Sequence, residues 1–386
     1  MSKLEVVPVR WWWQRRQFLN LPWQIYKGDQ YWVPPLRMQA KEMVNYTRHP
    51  FYDDAKIETF LAKRDGKVVG RIAAIVNHAH NRQYQEKRGF FGFFECTNDQ
   101  EAAHALFTAA RDWLMAQGMT AVRGPCNPSL NYECGLLVDG FDSSPTFMMT
   151  YNPPYYGELI ESFGFQKTQD LYAFWGHVDM IAGLDKKLTF VVEECNRRFD
   201  IKLRRLDRNR FNEDVKTFLD IYNQSLVGTW GFVPLSDAEV KHMGKGLKML
   251  IVPEMTTIGE VDGKIFGACF AMLDYNPRIK EMGGRLFPFG FLKLLFNRRA
   301  LTRIRVLSTN VVPEYQRWGL GLVIVARLLP EVLAWGVKEA EFSWVLESNS
   351  LSFGTLKRAG AKITKTYRLY DLEFAPKLTS STPTTS

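Results

Sequence analysis

Six residues in the last third of the chain form a pattern suited to binding an anion: Gln316-Arg317-Trp318-Gly319-Leu320-Gly321. An extended run, Val306–Val312, precedes them, and a long apolar helical run follows from Leu322 onward. A strand that enters a glycine turn and opens a helix presents unpaired backbone N–H groups and the positive end of the helix dipole. The glycines let an anion approach closely, and Gln316 and Arg317 add donors. The pattern predicts a phosphate site, although Gly-x-Gly turns also begin helices that bind nothing.

The elements expected around this loop limit the range of ligands that it could bind. After the helix come an extended run, Glu341–Leu346, a helical run, Ser350–Ala359, and closing strands over Lys362–Phe374. In this order, with the Q-x-x-G-x-G loop, they resemble the GNAT acyltransferase superfamily, in which that loop holds the pyrophosphate of acyl-coenzyme A. The resemblance implies acyl-CoA as the donor, no metal, and the following donor-binding residues: Val311, Val312, Gln316, Arg317, Trp318, Gly319, Leu320 and Gly321.

The same resemblance implies a direct attack of an amine on the thioester, assisted by a carboxylate that helps to remove the proton of the amine. The candidates stand where the fourth and fifth strands end, at Glu314 and Glu347. Glu347 is the preferred base because it lies beside Asn349, which is included in the predicted catalytic set. An acid at this position also suits the start of the helix that follows, where the dipole stabilises it.

The developing oxyanion and the leaving thiolate need partners as well. The resemblance implies a backbone N–H on the fourth strand, near Val311 or Val312, for the oxyanion, and Asn310 on that strand joins the catalytic set. The family often has a tyrosine acid on its last helix. Here that helix begins Ser-Leu-Ser-Phe, so the role is unfilled or passes to Tyr367 or Tyr370.

The first half of the chain repeats this order of elements. A hairpin signal at Asp65-Gly66 leads to a Phe-rich strand, Gly89–Cys96, and an amphipathic helix, Asp99–Gln117. Between strand and helix stands Thr97–Gln100, an ordinary helix N-cap without Gly-x-Gly. We expect an α/β (α+β) fold of two tandem GNAT-like domains, each a mixed, mostly antiparallel sheet flanked by helices. Their predicted bounds are 1–178, without the coenzyme A loop, and 186–375, with it, before a disordered tail over 376–386.

A turn-rich run in the first half, Gly124–Leu137, lies where a GNAT acceptor site forms. Its polar side chains could bind a headgroup, or could only hold the loop through its own Asx turns. An aromatic turn in the second half, Thr229–Pro234, adds apolar side chains. The predicted substrate-binding residues are Asn127, Ser129, Asn131, Glu133, Trp230 and Phe232.

Four further motifs extend the resemblance over the whole chain: YWVPP, GFFGFFE, GFD and YNPPYY. With them the chain resembles a bacterial family of GNAT-fold proteins that includes ceramide synthases, which transfer a long acyl group from coenzyme A to the amine of a sphingoid base. The implied function is N-acylation of a lipid amine. The alternatives are a tandem GNAT acetyl- or aminoacyltransferase acting on a soluble amine, and a membrane-surface binding protein with an inactive GNAT fold.

An insert precedes the donor loop at Glu281–Arg305. Eight of the eleven residues over Leu286–Phe296 are Leu or Phe, and Arg298, Arg299, Arg303 and Arg305 follow them. This segment is apolar, is followed by arginines and is too short to span a bilayer. It therefore predicts an interfacial anchor or a gate for a lipid chain. The alternative is a helix buried between the domains. The predicted contact residues are Phe289, Phe291, Leu294 and Leu295.

A second aromatic segment, Arg10–Arg16, contains three consecutive tryptophans among arginines. Trp and Arg together suit a bilayer interface. Tryptophan is mostly buried in folded domains, however. We therefore expect a strand followed by a helix, with alternate tryptophans packed inside.

Composition limits the expected partners, the state of the cysteines and the location of the protein. The 386 residues carry a net charge of +9, which favours anionic partners such as acyl-CoA or an anionic membrane surface. No nucleic-acid module is recognisable, so nucleic acid is not an expected partner. The five cysteines lack CxxC spacing and predict reduced thiols. The N-terminal run lacks a signal-peptide pattern, and we expect a cytoplasmic protein that can lie on the inner face of the cytoplasmic membrane.

Overall fold

The computed structural model describes residues 2–183 and 185–374, so the tail predicted over 376–386 lies outside the described residues. The strands of the first half are β1 Leu4–Pro8, β2 Ala55–Arg64, β3 Lys67–Asn77, β4 Arg88–Cys96, β5 Ala121–Gly124, β6 Cys126–Asn127, β7 Glu133–Cys134, β8 Leu136–Asp139 and β9 Gln166–His177. Its helices are α1 Trp12–Ile25, α2 Arg37–Met43, α3 His78–Tyr84, α4 Gln100–Ala116 and α5 Tyr156–Glu161.

The second half follows the same plan. Its strands are β10 Ile201–Arg204, β11 Thr256–Val261, β12 Lys264–Leu273, β13 Arg303–Val311, β14 Glu339–Leu346 and β15 Lys362–Glu373. Its helices are α6 Asp185–Arg198, α7 Phe211–Ser225, α8 Asp237–Leu247, α9 Asn276–Glu281, α10 Gly290–Leu295, α11 Leu320–Trp335 and α12 Ser350–Arg358.

Local sequence signals account for several of these boundaries. The two Asp-Gly pairs form the turns β2–β3 and β11–β12, and both residues of each pair have positive φ: 49° and 80° at Asp65-Gly66, and 50° and 77° at Asp262-Gly263. Such turns match the twist of the paired strands. The Asp99 carboxylate accepts the N–H of Ala102 at 3.1 Å and so caps α4. The predicted hairpin at Asp65-Gly66 and the ordinary cap of the first half are therefore confirmed.

All the main strands join one mixed sheet in the order β1-β2-β3-β4-β5-β15-β9-β14-β13-β12-β11-β10, with β8 attached to β15. Most neighbours are antiparallel, and the exceptions are β4 with β5 and β13 with β14. The fold class predicted from the sequence is confirmed. One apolar core packs α4 against the sheet of the first half, and another packs α11 against that of the second.

The centre of the sheet contains an exchange that the linear repeat does not predict. The last strand of the second half, β15, pairs with β5 of the first half, and the last strand of the first half, β9, pairs with β14. The two exchanged strands also pair with each other. Each half therefore completes the sheet of the other, and the bounds 1–178 and 186–375 stay a prediction about the chain order.

The aromatic segments differ from the packing expected for them. The tryptophan patch (Trp11, Trp12 and Trp13) is 59%, 70% and 45% exposed, so the expectation of buried tryptophans is wrong. Within the insert, an exposed set of side chains stands out, which we call the aromatic insert: Phe287, Phe289, Phe291, Leu292 and Phe296. A helix buried between the domains is therefore excluded. Leu294 is only 6% exposed and packs into the core, with Leu295 half-buried beside it.

The arginines that follow the insert divide into two groups. Arg303 pairs with Glu339 at 3.0 Å, and Arg305 is buried, so neither is a free cation on a basic flank. Arg298 and Arg299 remain beside the aromatic insert; their guanidinium groups donate to backbone carbonyls of Met249 and Ala334. In the described part of the chain, no helix is both long and apolar enough to cross a bilayer.

Candidate active site

The predicted anion-binding loop lies between β13 and α11. After β13 a 3₁₀ turn runs over Pro313–Trp318, and Gly319, at φ 81°, caps the start of α11. Glycine adopts this left-handed conformation without steric cost. No acidic side chain stands in the first turn of α11, so the positive end of its dipole is available to an anion. The strand, turn and helix predicted from the sequence are all present.

The side chains of the loop take different roles. The Gln316 amide donates to the carbonyl oxygens of Val311 at 3.0 Å and Ser225 at 3.2 Å, so it braces the loop. Arg317 is exposed at the mouth of a cavity. A Cβ at Gly321 would lie 3.6 Å from the Val311 side chain, so a larger residue would fill the slot between α11 and β13. Trp318 is half exposed.

Strands β13 and β14 create an opening beside this loop. They pair only where Arg303–Val306 meets Glu339–Phe342, whereas β14 pairs with β9 from Glu339 to Leu346. The edge of β13 beyond that point is left facing the cavity. The N–H of Val312 donates to Phe266 of β12 at 2.9 Å. Because N–H groups alternate along an antiparallel pair, the N–H of Val311 points away from β12, towards the opening.

Asn310 adds a polar group to the same edge. Its side chain is 4% exposed and lines the cavity, and its Nδ2 has no hydrogen-bond partner among the described residues. A buried amide donor without a partner is costly, and such groups in folded proteins often serve a ligand. Asn310 therefore has a free donor at the open edge of β13.

The opposite side of the cavity is formed by the turn-rich run of the first half. The short pair β6–β7 projects it towards the second half, where the Asn131 amide donates to the Val233 carbonyl at 2.7 Å. Of the predicted substrate-binding residues, Asn131, Glu133, Trp230 and Phe232 line the cavity. Asn127 and Ser129 do not; they bond to the N–H groups of Phe93 at 2.6 Å and Asn131 at 3.3 Å and shape the loop.

Glu133 differs from the other acids of the cavity wall. Asp214 is held by Arg204 at 2.6 Å, and Glu339 by Arg303 at 3.0 Å. The carboxylate of Glu133 has neither a salt bridge nor a hydrogen bond to any described side chain or backbone group in the structure. Burial raises the pKa of Glu133 to about 7, and the positive charge of Arg305 opposes that rise. This carboxyl group can therefore gain or lose a proton near neutral pH.

A single cavity of about 1430 Å³ joins these parts. It extends from Arg317, Gly319 and Gly321, past the open edge of β13, to Asn131 and Glu133. Its wall is mainly apolar between these ends. The volume exceeds the roughly 300–1,000 Å³ of sites for drug-sized ligands, so the cavity has room for an extended ligand or for two ligands that meet.

The remaining predicted catalytic residues lie apart from this cavity or only touch it. Glu347 is outside the lining; its carboxylate pairs with Lys167 at 3.0 Å and accepts the N–H of Asp170. Tyr367 is fully buried and does not reach the lining. Asn349 lines the cavity, but its side chain accepts the N–H of Ser352 and caps α12. The geometry does not favour Glu347 as the base, and its role stays a prediction.

Two cavity residues were not identified from the sequence. Tyr222 of α7 lines the cavity, and burial raises its pKa to about 12, so its hydroxyl keeps its proton. Arg305 lies behind Glu133; it donates to the carbonyls of Phe147 and Met148 and to Ser343. Neither residue belongs to a motif, and only the folded arrangement brings them to the site.

Comparisons with known proteins identify relatives that match the chain over nearly its whole length. No model of a known protein family matches the chain. The chain is 33% identical over 363 residues to Protein YghO of Escherichia coli (strain K12), covering 92% of each chain. It is 32% identical over 381 residues to the bacterial ceramide synthase of Caulobacter vibrioides (strain NA1000 / CB15N), covering 96% of this chain and 97% of that protein.

Among solved structures, a tandem GNAT protein from the clavulanic acid biosynthesis pathway matches with a TM-score of 0.55. The match covers 97% of this chain and 99% of that one at 12% sequence identity. An identity this low supports the tandem GNAT fold and no more.

Proposed function

The chain belongs to the tandem GNAT-fold family that includes the bacterial ceramide synthase of Caulobacter vibrioides, and from this premise we propose that it is an acyl-CoA-dependent N-acyltransferase. We propose a long-chain acyl group as the transferred unit and a lipid amine of the sphingoid-base type as the acceptor. The observation that carries the proposal is the continuous apolar cavity between the glycine loop and the acceptor loop. A soluble acetyl donor and a small amine would not need that extent of apolar wall.

The donor would enter at the glycine loop. The dipole of α11 would bind the pyrophosphate and Arg317 would add a cation, while the pantetheine would pass through the slot beside Gly321. The thioester would then lie at the open edge of β13. The amine nitrogen attacks the thioester carbon, the C–N bond forms, and the C–S bond breaks as coenzyme A leaves.

Charge develops on the thioester oxygen during this attack. The N–H of Val311 and the unpartnered Nδ2 of Asn310 are the donors available for it at the open edge. Fixed donors aimed at a developing oxyanion typically contribute about 10²–10³-fold in rate each. The rest of the acceleration would come from holding amine and thioester together in one water-poor cavity.

A lipid acceptor must reach the cavity from a membrane, and we propose that the aromatic insert rests on an anionic bilayer surface. Phe287, Phe289 and Phe296 are each about 70% exposed. Arg285, Lys293 and Arg299 are exposed beside them, and no salt bridge engages these three within the described residues. Exposed rings with unpaired cations suit an interface of anionic headgroups. We therefore propose that the protein lies on the inner face of the cytoplasmic membrane.

The proposal is tested with the purified full-length protein, acyl-CoA donors from two to sixteen carbons, and either a long-chain sphingoid base or a short alkylamine as acceptor. Amide products are measured by mass spectrometry and free thiol is measured in parallel. We expect one amide per thiol released, with kcat/KM rising with donor chain length and highest for the sphingoid base. Preference for acetyl-CoA and the short amine would favour the soluble-amine alternative. Absence of any amide would favour an inactive fold.

A further inference from the structure

Glu133 lies in the cavity wall formed by the turn-rich loop, on the side to which the proposed function assigns the acceptor amine. It belongs to β7, whose backbone is fixed by pairing with Asn127 of β6, so the side chain projects from an ordered loop. It lines the same cavity as Asn310 and the open edge of β13. A group that exchanges a proton with the attacking amine has to share this space with the thioester.

Glu133 differs from the other acidic residues in the cavity wall because its carboxylate has no hydrogen-bond partner among the described residues. Both oxygens of Asp214 accept from Arg204, at 2.6 and 2.8 Å, and Glu339 is occupied by Arg303 and the indole of Trp175. Within the described parts of the chain, Glu133 alone among these acids has no such partner. A carboxylate that is not held by a cation can accept a proton without first breaking an ion pair.

Among the described residues, one charge acts on the pKa of Glu133, that of Arg305 on β13, and Arg305 in turn lies close to the buried Glu341. Cys134 is the neighbour of Glu133 on β7, and Tyr222 approaches Cys134 from α7. Burial raises the pKa of both the Cys134 thiol and the Tyr222 hydroxyl to about 12, so both are neutral near pH 7. Burial also raises the pKa of Glu133, to about 7, against the opposing effect of Arg305. A general base is most effective when its pKa lies near the working pH.

We propose that Glu133 is the general base of the acyl transfer, a role that rests on the proposed function. Its carboxylate takes the proton that the acceptor nitrogen loses as the C–N bond forms. The C–S bond breaks, coenzyme A departs as the thiolate, and that thiolate takes a proton from water. Glu133 returns its own proton to water, so the protons balance over one turnover. The positive charge of Arg305 favours the ionised, proton-accepting form of Glu133.

The test measures kcat/KM from pH 5.5 to 9 for the wild-type protein and Glu133→Gln, with the same donor and with both the sphingoid base and a short alkylamine. We expect kcat/KM of the wild type to rise as Glu133 loses its proton near pH 7. Glu133→Gln should lose about 10²–10⁴-fold and that limb of the profile, while its affinity for the acyl-CoA, measured by calorimetry, should stay unchanged. Glu133→Asp should recover part of the rate.

Two further variants make the result decisive. Glu5→Gln removes an exposed carboxylate on β1, at the far edge of the sheet, and should keep the wild-type rate and profile. Glu347→Gln tests the competing base. The proposal is overturned if Glu133→Gln keeps both the rate and the profile, or if Glu347→Gln loses them instead. Transfer to the short amine alone would refute the lipid acceptor and still decide the role of Glu133. Transfer to no amine would overturn both.

Discussion

Glu133→Gln should also change the stability of the protein in a way that depends on pH and needs no substrate. The carboxyl group has a pKa of about 7 in the folded protein, against about 4.3 in an unfolded chain. The folded state therefore binds the proton more tightly. As pH rises between these two values, the wild type loses stability, because a charge must be placed in a poorly hydrated cavity. Glutamine carries no charge, so the variant does not show this loss.

The size of the effect follows from the shift. A pKa that moves from about 4.3 to about 7 corresponds to roughly 4 kcal/mol in the free energy of unfolding. Only part of the titration falls between pH 5.5 and pH 8, where the variant should gain about 2 kcal/mol relative to the wild type. Below the unfolded pKa the relative gain disappears, and above the folded pKa it is constant.

Urea unfolding, followed by tryptophan fluorescence at several pH values, measures this difference. The exchanged strands β9 and β15 tie the two halves together, so we expect them to unfold in one transition; coincidence with circular dichroism checks this. Glu5→Gln is the control, and its curve should run parallel to that of the wild type. If the difference between Glu133→Gln and the wild type is the same at pH 5.5 and pH 8, Glu133 is hydrated in the folded protein and the reasoning on its pKa fails.

Three further predictions concern the donor site, the oxyanion and the membrane. Gly319→Glu and Gly321→Glu should each abolish acyl-CoA binding in calorimetry while circular dichroism stays native. The wild type should bind one acyl-CoA per chain, because the Asp99 carboxylate occupies the corresponding helix start of the first half. A second site of equal affinity would contradict this. Asn310→Ala should lower kcat about 10²–10³-fold with little change in acyl-CoA affinity; an unchanged kcat would remove Asn310 from the mechanism. Changing Phe287, Phe289 and Phe296 of the aromatic insert to Ser should weaken binding to anionic liposomes, measured by flotation, by about 10³-fold. Burying each ring contributes at least about 1.5 kcal/mol. The matched control is Phe190→Ser with Ile363→Ser, two exposed apolar residues elsewhere, and equal flotation of both variants would refute the membrane surface.

The residues proposed to contact the membrane differ from the four that the sequence predicted, and the structure gives the reason. Phe289 and Phe291 are exposed, but Leu294 packs into the core of the second half. A helix turns successive residues to different sides, and the sequence of the insert is apolar on every side. Only the contacts of α10 distinguish the exposed rings from the buried leucine. Changing Leu294 would destabilise the core and obscure any effect on membranes.

The parts of the fold that depend on local chemistry were predictable. Asp65-Gly66 needs two positive φ values, Asp99 caps the helix that follows it, and the Gly-x-Gly turn opens α11. These signals act over a few residues and do not depend on distant contacts. They also identified the repeat, and with it the tandem fold.

The exchange of β9 and β15 was not predictable from the sequence alone. Each is the last strand of its half, and the pattern of apolar residues in a strand indicates which positions are buried but not which neighbouring strand it pairs with. The tryptophan patch was misjudged for a similar reason. The usual burial of tryptophan is a statistical preference, and no residue near Trp11–Trp13 reveals that α1 presents them outward.

The surroundings of Glu133 in the candidate active site could not be predicted from the local sequence either. Its sequence neighbours identify a polar turn-rich loop and led to a substrate-binding role. Its lack of hydrogen-bond partners depends on the fold, in which Arg305 donates to Ser343, and Arg204 and Arg303 pair with Asp214 and Glu339. These pairings join residues that are far from Glu133 in the chain, so no local pattern records them.

The most direct test of the account is a crystal structure of the full-length protein with a non-hydrolysable thioether analogue of a long-chain acyl-CoA. The account predicts the pyrophosphate at the start of α11, the pantetheine between Gly321 and Val311, and the acyl-bearing carbon within hydrogen-bonding reach of Asn310, with Glu133 facing the space left for the amine. Density for the nucleotide beside α4, or for the acyl chain outside the cavity, would contradict it.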